Sequence, residues 1–86
     1  MPKSVHSPNY DRFRALLIQA RKAAGLSQTD VATRLGRPQS YVSKIESGER
    51  RLDLIELIEL AQVLNIDVVT FIQNLQHELA SHQTGS

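Results

Sequence analysis

Gln39, Ser40, Ser43 and Lys44 are the side chains of this chain best suited to chemistry at a surface. Their chemistry is that of matching hydrogen bonds, not of breaking covalent ones. Gln39 with Ser43 and Ser40 with Lys44 are four residues apart, so in a helix they occupy neighbouring rows of one face. The glutamine amide offers donors and an acceptor, each serine hydroxyl can do either, and the lysine donates from a point charge. Such a set can match the donor and acceptor pattern of a partner. It would also serve as a plain solvated face, and four residues alone do not choose. The rest of the chain offers no catalytic alternative. His6, His77 and His82 stand near the ends, and His77 and His82 are five apart, not the four that would align two helical metal ligands. There is no cysteine, which removes disulfides and thiolate ligands and fits a reducing cytoplasm. No glycine-rich phosphate loop or nucleophile motif occurs. The expectation is a protein that is not an enzyme and carries no metal or cofactor.

The elements that must position these residues can be read from apolar spacing and stop signals. Residues 1–9 hold two prolines and two serines without periodicity and read as a flexible arm. Phe13, Leu16, Leu17, Ala20 and Ala24 follow the i, i+3, i+4, i+7 rule and predict a first helix over 10–24, ended at Gly25. Ser27 reads as an N-cap with Asp30 three residues on, as in a capping box, opening a short helix from Gln28 to Leu35. Gly36 ends it, since glycine adopts the left-handed backbone of a tight turn at little cost. A third helix begins at Pro38, which suits a first turn, and runs to about Ser47 before Gly48. It carries the Gln39–Lys44 face on one side and Val42 and Ile45 on the other. Asp53 and Glu56 form another start signal for a fourth helix bearing Leu54, Leu57, Ile58, Leu60, Ala61 and Leu64. Asp67 caps a fifth bearing Val68, Val69, Phe71, Ile72, Leu75 and Leu79, with a frayed tail over 80–86. No strand pattern appears. The reading is all-α: one compact five-helix domain over 10–79, with two short helices joined by a tight turn. That pair has the form of a helix-turn-helix, whose second helix fits the major groove of DNA.

Charge supports a polyanionic partner. The formal net charge is only +1, but all ten lysines and arginines lie at or before Arg51. Against the four acids of that segment they leave residues 1–51 at +6. The remainder has five acids and no base, at −5. One half is built to meet negative charge and the other is not. The chain holds no apolar run near the ~20 residues of a membrane span and no signal-like start. A domain of this size buries roughly 60–65% of its unfolded surface, a thin margin that association would widen.

The segment Leu26-Ser27-Gln28, Ala32, Leu35-Gly36, Val42-Ser43-Lys44-Ile45-Glu46-Ser47-Gly48, with Leu60-Ala61 and Leu64 through Ile66-Asp67 behind it, resembles the Xre-type family of phage repressors and Cro proteins. The resemblance covers about residues 10–75. It implies a lambda-repressor-like fold in which Gln39, Ser40 and Lys44 face base edges, with Ser43 close to a base or the backbone. The chemistry suits this: glutamine can bond adenine N6 and N7 together, and lysine can donate to guanine O6 and N7. The resemblance also gives Gln28 a phosphate-binding and bracing role, and pairs Glu46 with Arg21 as a structural ion pair. Helix 2 begins at Gln28, and its N-terminal amides suit a phosphate in any case. Arg37, Arg50 and Arg51, with Arg12 and Lys22 behind them, are further phosphate candidates, and each could equally be solvated. Tyr41 either packs over the turn or meets the sugar-phosphate backbone. Two positions depart from the family pattern: Arg37 stands where a hydrophobic residue is common, and Pro38 where Ser or Thr usually caps the recognition helix.

The function expected is a sequence-specific double-stranded DNA-binding transcriptional regulator, a repressor, acting in the cytoplasm as a homodimer on a palindromic operator. No small-molecule ligand is indicated, and the chain is short for a separate sensing domain. The apolar excess of helices 4 and 5 supplies the expected dimer face: Ile55, Ile58, Phe71, Ile72, Leu75 and Leu79. The alternative is a protein-interaction module, antitoxin-like, that keeps the helix-turn-helix as a scaffold and docks through its acidic half.

Overall fold

The computed structural model describes residues 7–84, which form five helices: α1 (Pro8–Ala23), α2 (Gln28–Leu35), α3 (Gln39–Ser47), α4 (Leu54–Leu64) and α5 (Val68–Thr84). The described residues contain no strand. Most of the expected N-terminal arm lies outside them. The first helix starts earlier than the apolar spacing alone predicts. Ser7 is extended and its hydroxyl accepts from the backbone N–H of Tyr10, while Pro8 occupies the first turn without wasting a donor. At the other end α5 continues past Ala80 to Thr84.

Local chemistry sets the remaining boundaries. Ala24 caps α1 and Gly25 follows in the left-handed conformation, with Gly25 N–H bonded to Lys22 O and Leu26 N–H to Arg21 O. That is a Schellman motif, and it turns the chain into α2. Ser27–Asp30 and Asp53–Glu56 are both complete capping boxes. Gly36 takes φ 71° at the end of α2.

The core contains Leu17, Val31, Ala32, Val42, Ile45, Leu57, Leu60, Leu64 and Phe71. α2 packs on α3 and α4, and α1 packs on α3 and α5. Every helix therefore contributes to one apolar centre, and the α2–α3 pair is braced by α4 against α2 and by α1 against α3. Ala24, expected on the inner stripe of α1, is exposed because the helix ends there. Tyr10 joins the core instead. Its ring meets Phe13 at 5.4 Å between centroids, and its hydroxyl accepts from Leu52 N–H at 3.2 Å, which ties the start of α1 to the connector ahead of α4.

One expected dimer residue is corrected by the fold. Phe71 is a core residue, 7% exposed, with its ring edge against Phe13 at 6.0 Å. The gap between α1 and α5 needs a large ring, and Phe71 fills it. Ile72, Leu75 and Leu79 are half-buried on α5. The exposed apolar side chains cluster on α4, where Ile55 is 63% exposed and Ile58 37%. Leu54, the first apolar residue of α4, is 62% exposed beside them, and Val69 is exposed at the start of α5.

Candidate nucleic-acid interface

The outer face of α3 carries Gln39, Ser40 and Lys44 exposed and Ser43 half-buried. The helix starts at Pro38, which is extended and gives no side-chain cap, so the first turn of α3 keeps unsatisfied N–H groups. Ser43 bonds its own helix, its hydroxyl donating to Ser40 O at 3.2 Å. Among the described residues, no hydrogen bond joins the Ser40 or Lys44 side chain to the rest of the protein.

Gln39 is held in place by a chain of three other side chains. Arg21 on α1 donates from Nε to Glu46 Oε2 at 2.7 Å and from its terminal nitrogen to Oε1 at 3.1 Å. A third donor of the same guanidinium reaches Leu26 O at 2.9 Å. Both partners are largely shielded from water, their side chains 12% and 10% exposed. Gln28 Nε2, at the start of α2, donates to Glu46 Oε1 at 2.8 Å. Gln39 Nε2 in turn donates to Gln28 Oε1 at 2.7 Å. The pairing of Arg21 with Glu46 is thus one end of a relay from α1, through α3 and α2, to the exposed amide of Gln39. Arg14 adds a second brace, donating to the backbone O of Glu46 at 2.6 Å and to Asp11 at 2.7 Å. Sequence spacing reveals neither the glutamine bridge nor Arg14, because both join residues from different helices. Gln28 commits its Oε1 and one Nε2 hydrogen to Gln39 and Glu46, which leaves its second Nε2 hydrogen and the backbone N–H groups at the start of α2 as further donors.

The basic residues flank this face by packing on tyrosines. Tyr41 is half-buried against the core, with the Arg37 guanidinium 4.7 Å and the Arg50 guanidinium 4.8 Å from its ring centre. Tyr41 therefore does pack near the turn, and it also holds two cations at the edge of the polar face. Burial, ahead of the nearby Glu56 charge, raises its phenol above the ordinary value, so it stays a neutral hydroxyl. Arg50 also pairs with Glu56 at 2.6 Å, and its backbone N–H bonds Lys44 O at 3.1 Å. Arg51 lies over the Tyr10 ring at 4.2 Å. Exposed contacts of this kind are weak, enough to orient a cation and little enough to release it to a competing anion.

A braced two-helix unit with a polar outer helix and arginines at its rim defines a DNA-binding helix-turn-helix domain. Residues 17–71 match the family model described as helix-turn-helix. An uncharacterised HTH-type transcriptional regulator of Sinorhizobium fredii, y4dJ, is 40% identical over 52 residues, which is 60% of this chain and 68% of that protein. An XRE-family-like protein from Pseudomonas syringae pv. tomato superposes with a TM-score of 0.72 at 44% identity, over 78% of this chain and 85% of that one. The wild-type restriction-modification controller protein C.Esp1396I superposes with a TM-score of 0.80 at 25% identity, over 90% and 100% of the two chains. The chain belongs to the Xre-type helix-turn-helix family of DNA-binding transcription regulators.

Among the described residues, no helix is long and apolar enough to cross a membrane, and no cluster of His, Cys, Asp and Glu could hold a metal ion.

Proposed function

We propose that this chain is a sequence-specific repressor that binds double-stranded DNA as a homodimer, each α3 lying in the major groove of one half of a palindromic operator. The observation that carries the reading is the exposed Gln39–Ser40–Lys44 face, with Gln39 anchored through Gln28 and Glu46 to Arg21. A reading head needs side chains whose rotamers are settled before the partner arrives, and this relay settles one of them. Gln39 and Lys44 would contact base edges, with Ser40 and Ser43 beside them. Arg37, Arg50, Arg51, Tyr41 and the start of α2 at Gln28 would contact phosphates. Single helices read few base pairs, so two half-sites about 34–36 Å apart, or a multiple, would supply the specificity. The exposed Ile55 and Ile58 on α4, and Ile72, Leu75 and Leu79 on α5, supply an apolar face for self-association. Repression would follow from occupancy of a promoter, in the cytoplasm where the DNA lies.

Selection of binding sites from random duplexes tests the proposal in one step. The expected result is a palindrome with a fixed spacing, bound far more weakly at roughly 200 mM than at 50 mM salt. No enrichment, and no binding to random DNA at either salt, would instead favour a protein-docking module built on the same scaffold.

A further inference from the structure

We propose that Glu46, a residue with no place on the DNA-facing surface, determines which base Gln39 reads by setting the polarity of its amide; the inference rests on Gln39 being a base reader. A glutamine amide has an oxygen end and a nitrogen end, and it can present either to a neighbour. An ionised carboxylate only accepts hydrogen bonds. Glu46 takes two bonds from Arg21 and one from Gln28, so Gln28 must turn its nitrogen to Glu46 and its oxygen to Gln39. Gln39 must then give an N–H to that oxygen. What Gln39 keeps for a partner is its Oε1 and the second hydrogen of Nε2. That pair, one acceptor and one donor, matches the N6 and N7 of adenine. Were the relay reversed, Gln39 would spend its oxygen inward and offer two hydrogens, which match guanine O6 and N7 instead. The carboxylate forbids the reversal. Arg21 strengthens the prohibition, because its guanidinium has donors only and holds the Glu46 oxygens in place as acceptors.

The test compares wild type, Glu46→Gln, Gln28→Ala and the double variant Gln28→Glu with Glu46→Gln. The probe is a selected duplex carrying either A·T or G·C at the position whose preference is lost in Gln39→Ala, and the readout is the ratio of the two affinities. In Glu46→Gln either relay direction becomes available, so the adenine-over-guanine ratio should fall by roughly tenfold at that position alone, the scale of one bidentate base contact. Gln28→Ala cuts the relay at the start of α2 and leaves both Arg21–Glu46 bonds in place, and should lower the same ratio even if Glu46→Gln folds poorly. The double variant puts a carboxylate at position 28 that accepts from both neighbours, so it should restore the ratio while binding all DNA more weakly. An unchanged ratio in Gln28→Ala and Glu46→Gln, an equal loss at every position, or no recovery in the double variant would overturn the inference. Failure of the underlying reading looks different: Gln39→Ala would leave every preference intact, or the wild type would select no site, and the inference would fall with it.

Discussion

At the scale of single residues, the polar face divides its work between fixed and free side chains. Gln39 is held by Gln28, whereas Lys44 is unpaired with any group resolved in the structure and can adapt to a base or a phosphate. Lys44→Ala should relax sequence preference in a binding-site selection, while Arg51→Ala should weaken all duplexes alike and reduce the salt slope by about one unit. If Lys44→Ala kept the same preferred site, its role as a reader would be wrong. Arg50 differs from Arg51 because Glu56 already neutralises part of its charge in the free protein. The Arg21–Glu46 pair works on the fold side. Removing one partner leaves a largely shielded charge, so Arg21→Ala should cost about 3–5 kcal/mol in urea unfolding, whereas exposed Lys22→Ala should cost little.

At the scale of elements, stability depends on how helix ends are closed. α3 alone among the first four helices has no side-chain cap, since Pro38 stands at its N-cap. Pro38→Ser should add a cap worth about 1 kcal/mol, part of which is lost again to the freer unfolded chain, for a net gain of about 0.5 kcal/mol by urea denaturation. The carboxylate caps carry a pH signature. Asp30 is lowered from its ordinary 3.8 by the Ser27 backbone N–H and hydroxyl, and Asp67 by the Thr70 hydroxyl and backbone N–H groups. Glu56 is lowered from 4.5 by the Asp53 backbone N–H and, past the opposing effect of burial, by Arg50. Folded values below the unfolded ones mean stability that is fully present above those ordinary values and is lost as pH falls through the depressed ones. The thermal midpoint should therefore be flat at pH 6 and decline below about pH 4.5, and Asp67→Asn should shallow that decline.

For the whole molecule, the charge division of the chain follows the order of its helices. The basic segment ends at Arg51, in the connector after α3, and the acids that follow begin with the cap of α4. In the proposed dimer, DNA would meet the outer face of α3 and a second copy the exposed apolar side chains of α4. Ile55→Glu would place a charge in the exposed α4 patch without disturbing the core. It should leave the fold unchanged by circular dichroism yet yield monomer by sedimentation at about 100 μM, with much weaker binding to a palindrome than to be expected from its contacts alone. A wild-type monomer at that concentration would refute self-association through this face.

The sequence by itself determined where the helices lie, because caps, glycines and apolar spacing act within a few residues. Ser27, Gly36, Asp53 and Asp67 end or begin elements through bonds to their own neighbours, so α2 and the start of α4 fall where local spacing puts them. Ser7 is just as local a signal, but it lies in a proline-rich stretch without apolar period, so apolar spacing alone predicts a later start than the one Ser7 gives α1. Only the tertiary structure decided how apolar residues divide between core and surface. Leu54 and Phe71 look alike as members of apolar stripes, yet Leu54 faces outward and Phe71 is sealed against Phe13, because burial depends on which helix lies opposite. The relay from Arg21 to Gln39 was equally out of reach. Its members sit on three helices, and a hydrogen bond between side chains exists only once packing has brought their atoms within about 3 Å of one another.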